Sequence, residues 1–380
     1  MSSSPKVLPT KNMSICKFLV VNGVVSQSVE VPPVSSLLET HPGAYTTSRT
    51  HSNASYLLFW ESHLQRLADS TRILAERRPD LLFGLGDKRV LPKSHFASFS
   101  LWESVILPRV DESLRNVLPI ALEGRSSGKE LAITTLVSGD SRNLGGLDGG
   151  GGEREQDWVF RALNVYVHIG FYVPPVFGDE LNCGRLAIVG RGREIARAKF
   201  AEWVWQRKKF DGLKPPMVNE ILLTNDGDRI LEGGVTNFFV VSRMDDSSSN
   251  REKGFTYEVQ TASINEGVLP GIVRQLIIEV CLAMGIPVRE VAPSWSKREL
   301  WEEAFTTNGL RLVQHVESIQ APSSLELKKG LKFWSTCYIA IASFEDQPPT
   351  RTCILKIIVM TRKCQSMKLD QIRSAFCKLD

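Results

Sequence analysis

Residues 225–241, Asn-Asp-Gly-Asp-Arg-Ile-Leu-Glu-Gly-Gly-Val-Thr-Asn-Phe-Phe-Val-Val, decide how this chain is read. Asn-Asp-Gly-Asp has the composition of a turn. Ile230 and Leu231 begin a short strand that runs into an acid and two glycines, and residues 238–241 form a second strand. A carboxylate, Glu232, and an amide, Asn237, are thereby held at a fixed offset on a tight, hairpin-like corner. Strand ends that offer polar groups to a cleft are common places for chemistry, although an ordinary surface hairpin has the same pattern.

Two further segments take the reading past that hairpin. Val-Leu-Pro-Gly-Ile-Val-Arg at 268–274 opens an amphipathic helix, and Glu-Ala-Phe-Thr-Thr-Asn follows at 303–308. The ordered trio resembles the fold-type IV pyridoxal-phosphate enzymes, which include branched-chain and D-amino-acid aminotransferases and aminodeoxychorismate lyase. The resemblance extends over about 18–319.

Composition bounds the alternatives. At 380 residues the chain is long enough for two domains, each with its own core. Hydrophobic residues make up 42% and charged residues 23%, ordinary for a globular protein. A net charge of +4, with no dense basic stripe among aromatics, argues against nucleic acid. No apolar run is long enough for a membrane span, and Met-Ser-Ser-Ser-Pro-Lys lacks a secretory apolar core. Seven cysteines without metal-site spacing point to a reducing compartment. The expected location is cytoplasmic, with a plastid left open.

Local patterns predict a strand at 16–25 turning at Asn22-Gly23, a helix over 57–76, and a helix over 100–107 that Pro108 ends or kinks. A further helix follows over 110–117, with strands at 130–137 and 164–170. The glycine run 145–155 reads as a flexible insertion, and Pro174-Pro175 stiffen a connector at 173–178. A helix from Gly271 to Met284 stops at Gly285. The fold class is thus α/β (α+β by some conventions) with two domains. A small N-terminal domain, 1–172, carries an insertion at 145–152, and a large cofactor domain covers 179–323. The tail, 324–380, has no counterpart in the family and is expected to pack poorly.

Pyridoxal 5′-phosphate asks four things of a protein: a lysine to condense with its aldehyde, an acid at its ring nitrogen, donors for its phosphate and a rigid floor. By resemblance, Glu232 is the acid, in an element like the family's Glu-Gly-x-x-x-Asn that ends at Asn237. The helix start at Gly271, Ile272 and Val273 is a natural anion seat, because free N–H groups and the positive helix end converge there. The family's usual Thr is Val273 here. Arg66, in His63-Leu-Gln-Arg-Leu, matches the family's phosphate-binding arginine, whose forked guanidinium suits phosphate.

Lys199 stands at the family's distance before Glu232 and opens an expected helix at 200–209; Lys208, Lys209 and Lys214 are its rivals. Gly-Ala-Tyr-Thr-Thr-Ser-Arg at 43–49 resembles the strand that lines the substrate side. Tyr45 and Arg49 match there, and Thr46 replaces a common Glu. Thr306, Thr307 and Asn308 match the phosphate and substrate-carboxylate element, with Asn308 closer to the lyase pattern. The resemblance implies amino-group transfer between an amino acid and a 2-oxo acid, in a homodimer. A lyase with the same cofactor and a non-catalytic anion-binding relative are the alternatives.

Overall fold

The opening hairpin forms as its residues require. In the computed structural model, Asp226 Oδ1 accepts the N–H groups of Asp228 and Arg229, and Gly227 takes the left-handed φ of +82° that closes the turn. The structure describes residues 16–26, 31–84, 99–140, 160–176, 180–244, 257–322, 334–338 and 366–368. The glycine-rich insertion at 145–152, the end of the connector and the apolar stretch 352–360 fall outside them.

The first half of the chain builds a 7-stranded sheet. Strand β1 (Cys16–Val21) turns at Asn22 and Gly23, both at positive φ, into β2 (Val24–Val25). Then come α1 (Val34–Thr40), β3 (Ala44–His51), β4 (Tyr56–Leu58), α2 (Trp60–Arg77), α3 (Pro79–Phe83), α4 (Phe99–Glu123), β5 (Glu130–Gly139) and β6 (Leu163–Tyr172). Helices α2 and α4 pack on each other and on this sheet. Leu64, Leu67 and Leu74 of α2 meet Val110, Leu114 and Val117 of α4 and Ile133, Val167 and Ile169 of the sheet in one core.

Two helix predictions need correction. Leu57 and Leu58 belong to β4, not to the helix, because Leu57 pairs with Thr50 of β3 and Phe59 at φ 50° breaks the chain direction. Alternation and helical spacing coincide over so few residues, and sheet pairing decides between them. Residues 99–123 form one helix that runs through Pro108 and Pro119. An interior proline costs about 3 kcal/mol. Val110, Leu114, Val117 and Leu118 are each at most 3% exposed. At about 1.5–3 kcal/mol per buried aliphatic side chain, burial outweighs the prolines.

The second half builds a 9-stranded sheet. Its elements are β7 (Gly184–Gly190), α5 (Glu202–Asp211), β8 (Glu220–Thr224), β9 (Ile230–Gly233), β10 (Asn237–Arg243), β11 (Tyr257–Thr261), α6 (Ile272–Ala283), β12 (Val288–Glu290), β13 (Trp301–Asn308) and β14 (Leu312–Pro322). Parallel pairings through α5 and α6 sit among antiparallel ones, so the α/β and α+β labels both describe it. The order β10-β13-β14-β7-β8-β9 closes on itself, because β9 also pairs with β10. The closing pair is Glu232 opposite Asn237. A sheet closed on itself has no slack at its seam, so these two side chains are held rigidly.

The tail is not without a place. Strand β15 (Trp334–Tyr338) pairs with residues 318–322 of β14, and β16 (Ser366–Lys368) pairs with β4. Family comparison gave no reason to expect either. The long β14 leaves ladder groups open beyond the end of β13, and a short β-prone segment satisfies them.

Candidate active site

A cavity of about 340 Å³ lies between the two sheets, and most of the residues singled out in the sequence line it. Tyr45, Arg66 and Thr47 come from the first half; Lys199, Glu232 and Asn237 come from the second. Gly271, Ile272, Val273, Thr307 and Asn308 line it as well. Two expected residues are elsewhere. Arg49 is 4% exposed, but its guanidinium donates to the carbonyls of Leu310 and Thr50, at 2.6 and 2.9 Å. It ties strand β3 to the β13–β14 turn and does not line the cavity. Thr306 faces the other way and reaches Gln314.

Lys199 lies just before α5, which begins at Glu202 and not at the predicted residue 200. The segment is held like a strand: Tyr45 N–H donates to the Lys199 carbonyl, Ala201 N–H to that of Gly43, and Phe200 bridges to Ala44. Backbone pairing between the halves therefore aims Lys199 into the cavity. Its Nζ sits 4.6 Å from the Tyr45 ring centroid. Burial pushes its pKa well below the usual 10.5, and the nearby Arg66, Arg193 and Arg207 add to this; Glu232 opposes it. The rival lysines are outside the cavity. Lys208 pairs with Glu39, Lys214 with Asp211, and Lys209 covers Trp205.

Glu232 is 1% exposed. Burial raises its carboxyl pKa, against the lowering effect of Arg193 and of the Leu269 N–H. Arg193 Nε donates to Oε1 at 2.8 Å, and Leu269 N–H donates to Oε2 at 3.0 Å. Asn237 Nδ2 approaches Oε2 at 3.5 Å and donates to the Leu269 carbonyl at 2.9 Å. Gly233 is required by close approach, since a Cβ there would lie 2.1 Å from Thr236 Oγ1. Gly271 is similar, with Asn237 Oδ1 only 2.0 Å from its would-be Cβ.

The opposite wall behaves differently. Arg66 Nη2 donates to Thr46 Oγ1 at 2.9 Å, and no carboxylate pairs with Arg66 among the described residues. Desolvation pushes its pKa down to about 10. Arg66 Nε, His63 Nε2 and Thr307 Oγ1 are buried without a hydrogen-bond partner. No side chain caps the start of α6, so its first N–H groups face the cavity end. Arg193, Arg207 and His63 were missed as site residues in the sequence. The signal was the Gly-Arg-Gly-Arg run ending β7, where glycines let the chain turn inward, but only tertiary contact shows Arg193 reaching Glu232.

This donor set fits the anionic end of pyridoxal phosphate. Arg66, which no carboxylate neutralises among the described residues, the orphaned His63 Nε2 and Thr307 Oγ1, and an uncapped helix start all line a cavity of suitable size. Lys199 offers an amine that is readily neutral. Glu232 offers an acid for the ring nitrogen, one that Arg193 already engages.

Residues 205–319 match the model of the amino-transferase class IV family. Glu232, Asn237, Gly271–Val273 and Thr306–Asn308 fall inside that segment; Lys199 and Arg66 precede it. Comparison with curated proteins finds no match. Among solved structures, the chain is similar to the branched-chain aminotransferase of Thermoproteus uzoniensis crystallised with norvaline. Identity is 17%, with 91% of this chain and 95% of that one covered, at a TM-score of 0.53. A PLP-bound hypothetical aminotransferase from Mycobacterium tuberculosis shares 14% identity over 91% and 98%, with a TM-score of 0.56. The branched-chain amino acid aminotransferase of Escherichia coli shares 16% over 91% and 95%, with a TM-score of 0.52. These likenesses establish the fold. The family match covers under a third of the chain, and it holds the site residues from Glu232 onward.

Proposed function

We propose that the cavity binds pyridoxal 5′-phosphate and that the protein moves an amino group between a small amino acid and a 2-oxo acid. The observation that carries this is that Lys199 and Glu232 share one cavity with unsatisfied donors. Bound there, the cofactor supplies an electron sink for charge developing at the substrate's α-carbon. The protein supplies the rest. Arg66, the Thr307 hydroxyl and the N–H groups of Ile272 and Val273 would hold the phosphate. Glu232, anchored by Leu269 and Asn237, would serve the ring nitrogen. Lys199 Nζ would hold the cofactor's aldehyde end and would take and return a proton at the substrate's α-carbon; its lowered pKa favours the neutral amine that this needs. Tyr45 orients that amine, and burial raises its phenol pKa, so the ring stays neutral. Trp203 and Leu310 help to exclude water. The resemblance to dimeric enzymes carries a homodimer into this reading. Among the described residues, no helix is long and apolar enough to cross a membrane.

A second reading, a non-catalytic anion-binding relative, is favoured by one observation: both Glu232 oxygens already have partners within the protein. The deciding experiment is a visible spectrum with added pyridoxal phosphate, followed through addition of amino acids and then 2-oxo acids. A cofactor band that cycles between two forms supports transfer. Accumulation of pyruvate from an aminated chorismate would favour the lyase. A protein that never colours would sink the cofactor assignment.

A further inference from the structure

His63 is an imidazole on the cavity wall, 1% exposed, and amino-group transfer as proposed makes no use of it. Its surroundings determine which nitrogen carries the proton. Arginine can only donate, so Arg66 Nη2, at 2.9 Å, makes Thr46 Oγ1 an acceptor. Thr46 Oγ1 is 2.7 Å from His63 Nδ1. The hydroxyl has one proton to give, and no other acceptor for it is present among the described residues. Arg66 Nη2 also approaches Nδ1, at 3.5 Å, which a proton on Nδ1 would oppose. Thr46 therefore donates to Nδ1, and the imidazole proton sits on Nε2. A second proton is disfavoured, because burial, Arg66 and Lys199 all hold the His63 pKa well below 6.5. Nε2–H is left buried and without an acceptor, on a wall it shares with Arg66 and Thr307. The ring lies against Gly309, where an added Cβ would come within 3.2 Å of Cε1, so the β13–β14 turn fixes its plane.

We propose that His63 is a ligand-binding residue, a neutral hydrogen-bond donor from Nε2 to an anionic oxygen in the cavity, with Thr46 as the positioning residue that fixes its tautomer. An unsatisfied buried donor is costly, and a ligand oxygen removes that cost. The replacement of the family's Glu by Thr46 makes the arrangement possible. A carboxylate there would pair with Arg66 and invite a second proton onto His63; a hydroxyl satisfies both and neutralises neither. The anionic oxygen belongs either to a phosphate monoester or to a substrate carboxylate. The proposal rests on the cavity being an anion site, as the proposed function has it, but not on transamination.

The test uses full-length protein labelled with ¹⁵N-histidine. His63 resonances are assigned by their loss in His63→Gln. Without ligand, Nδ1 is expected to resonate as an unprotonated ring nitrogen and Nε2 as a protonated one, and Thr46→Val should mix the tautomers. Inorganic phosphate, acetate and pyridoxal 5′-phosphate are then titrated separately. A shift of Nε2–H with phosphate and the cofactor but not acetate assigns the phosphate end; a shift with acetate assigns the carboxylate. His63→Phe should weaken binding of the responding anion about tenfold, and His63→Gln, which keeps a donor, should recover most of it. A proton on Nδ1, or no response to any of the three anions, overturns the proposal. So does unchanged affinity in both variants. A protein that binds phosphate through Nε2–H yet shows no spectral turnover would keep this inference and remove transamination.

Discussion

The two walls of the cavity carry buried charge in opposite ways. On the ring wall Glu232 is saturated: Arg193 holds one oxygen, and Leu269 N–H and Asn237 hold the other. On the α2 wall Arg66 has a hydroxyl for company and no carboxylate, and its neighbours His63 and Thr307 each leave a polar atom unmet. Saturated groups build a frame, because removing a partner exposes a buried charge. Unsaturated groups cost stability until something binds, and so mark where a ligand sits.

The largest effect tests whether the cavity's lysine is the reactive one. Lys199→Ala is expected to abolish borohydride-trapped labelling by pyridoxal phosphate, whereas Lys208→Ala, Lys209→Ala and Lys214→Ala retain it. Peptide mapping by mass spectrometry reads the result. In the unaltered protein the labelling rate should plateau well below pH 10.5, because the folded protein favours the neutral amine. Label on Lys214 would move the assignment.

Arg193 and Arg66 should then differ in sign. Arg193→Ala strands Glu232 and is expected to cost about 3–5 kcal/mol in urea unfolding. Loss of the pair raises the carboxyl pKa further. Because the folded state then disfavours the ionised form, the deficit should shrink as pH falls toward the ordinary 4.5. Adding Glu232→Gln should recover part of it. Arg66→Met removes a cation whose pKa has fallen from 12.5 to about 10, so below that pH the folded state bears its cost. Ligand-free stability should therefore hold or rise, by at most about 3 kcal/mol. The same change should weaken pyridoxal phosphate binding tenfold to a hundredfold, roughly 1.5–3 kcal/mol, measured by equilibrium dialysis. Equal destabilisation by both variants would erase the distinction between the walls.

The smallest effect concerns the tail. A chain ending at Ser323 loses β15 and exposes the edge of β14 beside Ile319 and Ala321. It should melt a few degrees lower and lose soluble yield. Equal melting and yield would return to the expectation, drawn from sequence, that the tail adds nothing.

Local chemistry made much of this protein legible from sequence. The Asn22-Gly23 and Asp226–Asp228 turns, the helix stop at Gly285 and strands β5 and β6 follow from residue preferences that act within a few residues. The spacing of Glu232, Asn237 and the Pro270-Gly271 helix start likewise lies within short segments, and this is why the family resemblance could be seen there. Other features depend on partners far away in the chain. Helix α4 continues through two prolines because its buried face packs on α2. Arg49 turns to the Leu310 carbonyl and leaves the cavity. Arg193 finds Glu232, and Thr46 aligns His63, across distances that no periodicity encodes. Burial and hydrogen-bond satisfaction are properties of the closed ring and its neighbouring sheet, so only the tertiary structure decides which polar atoms are left for a ligand.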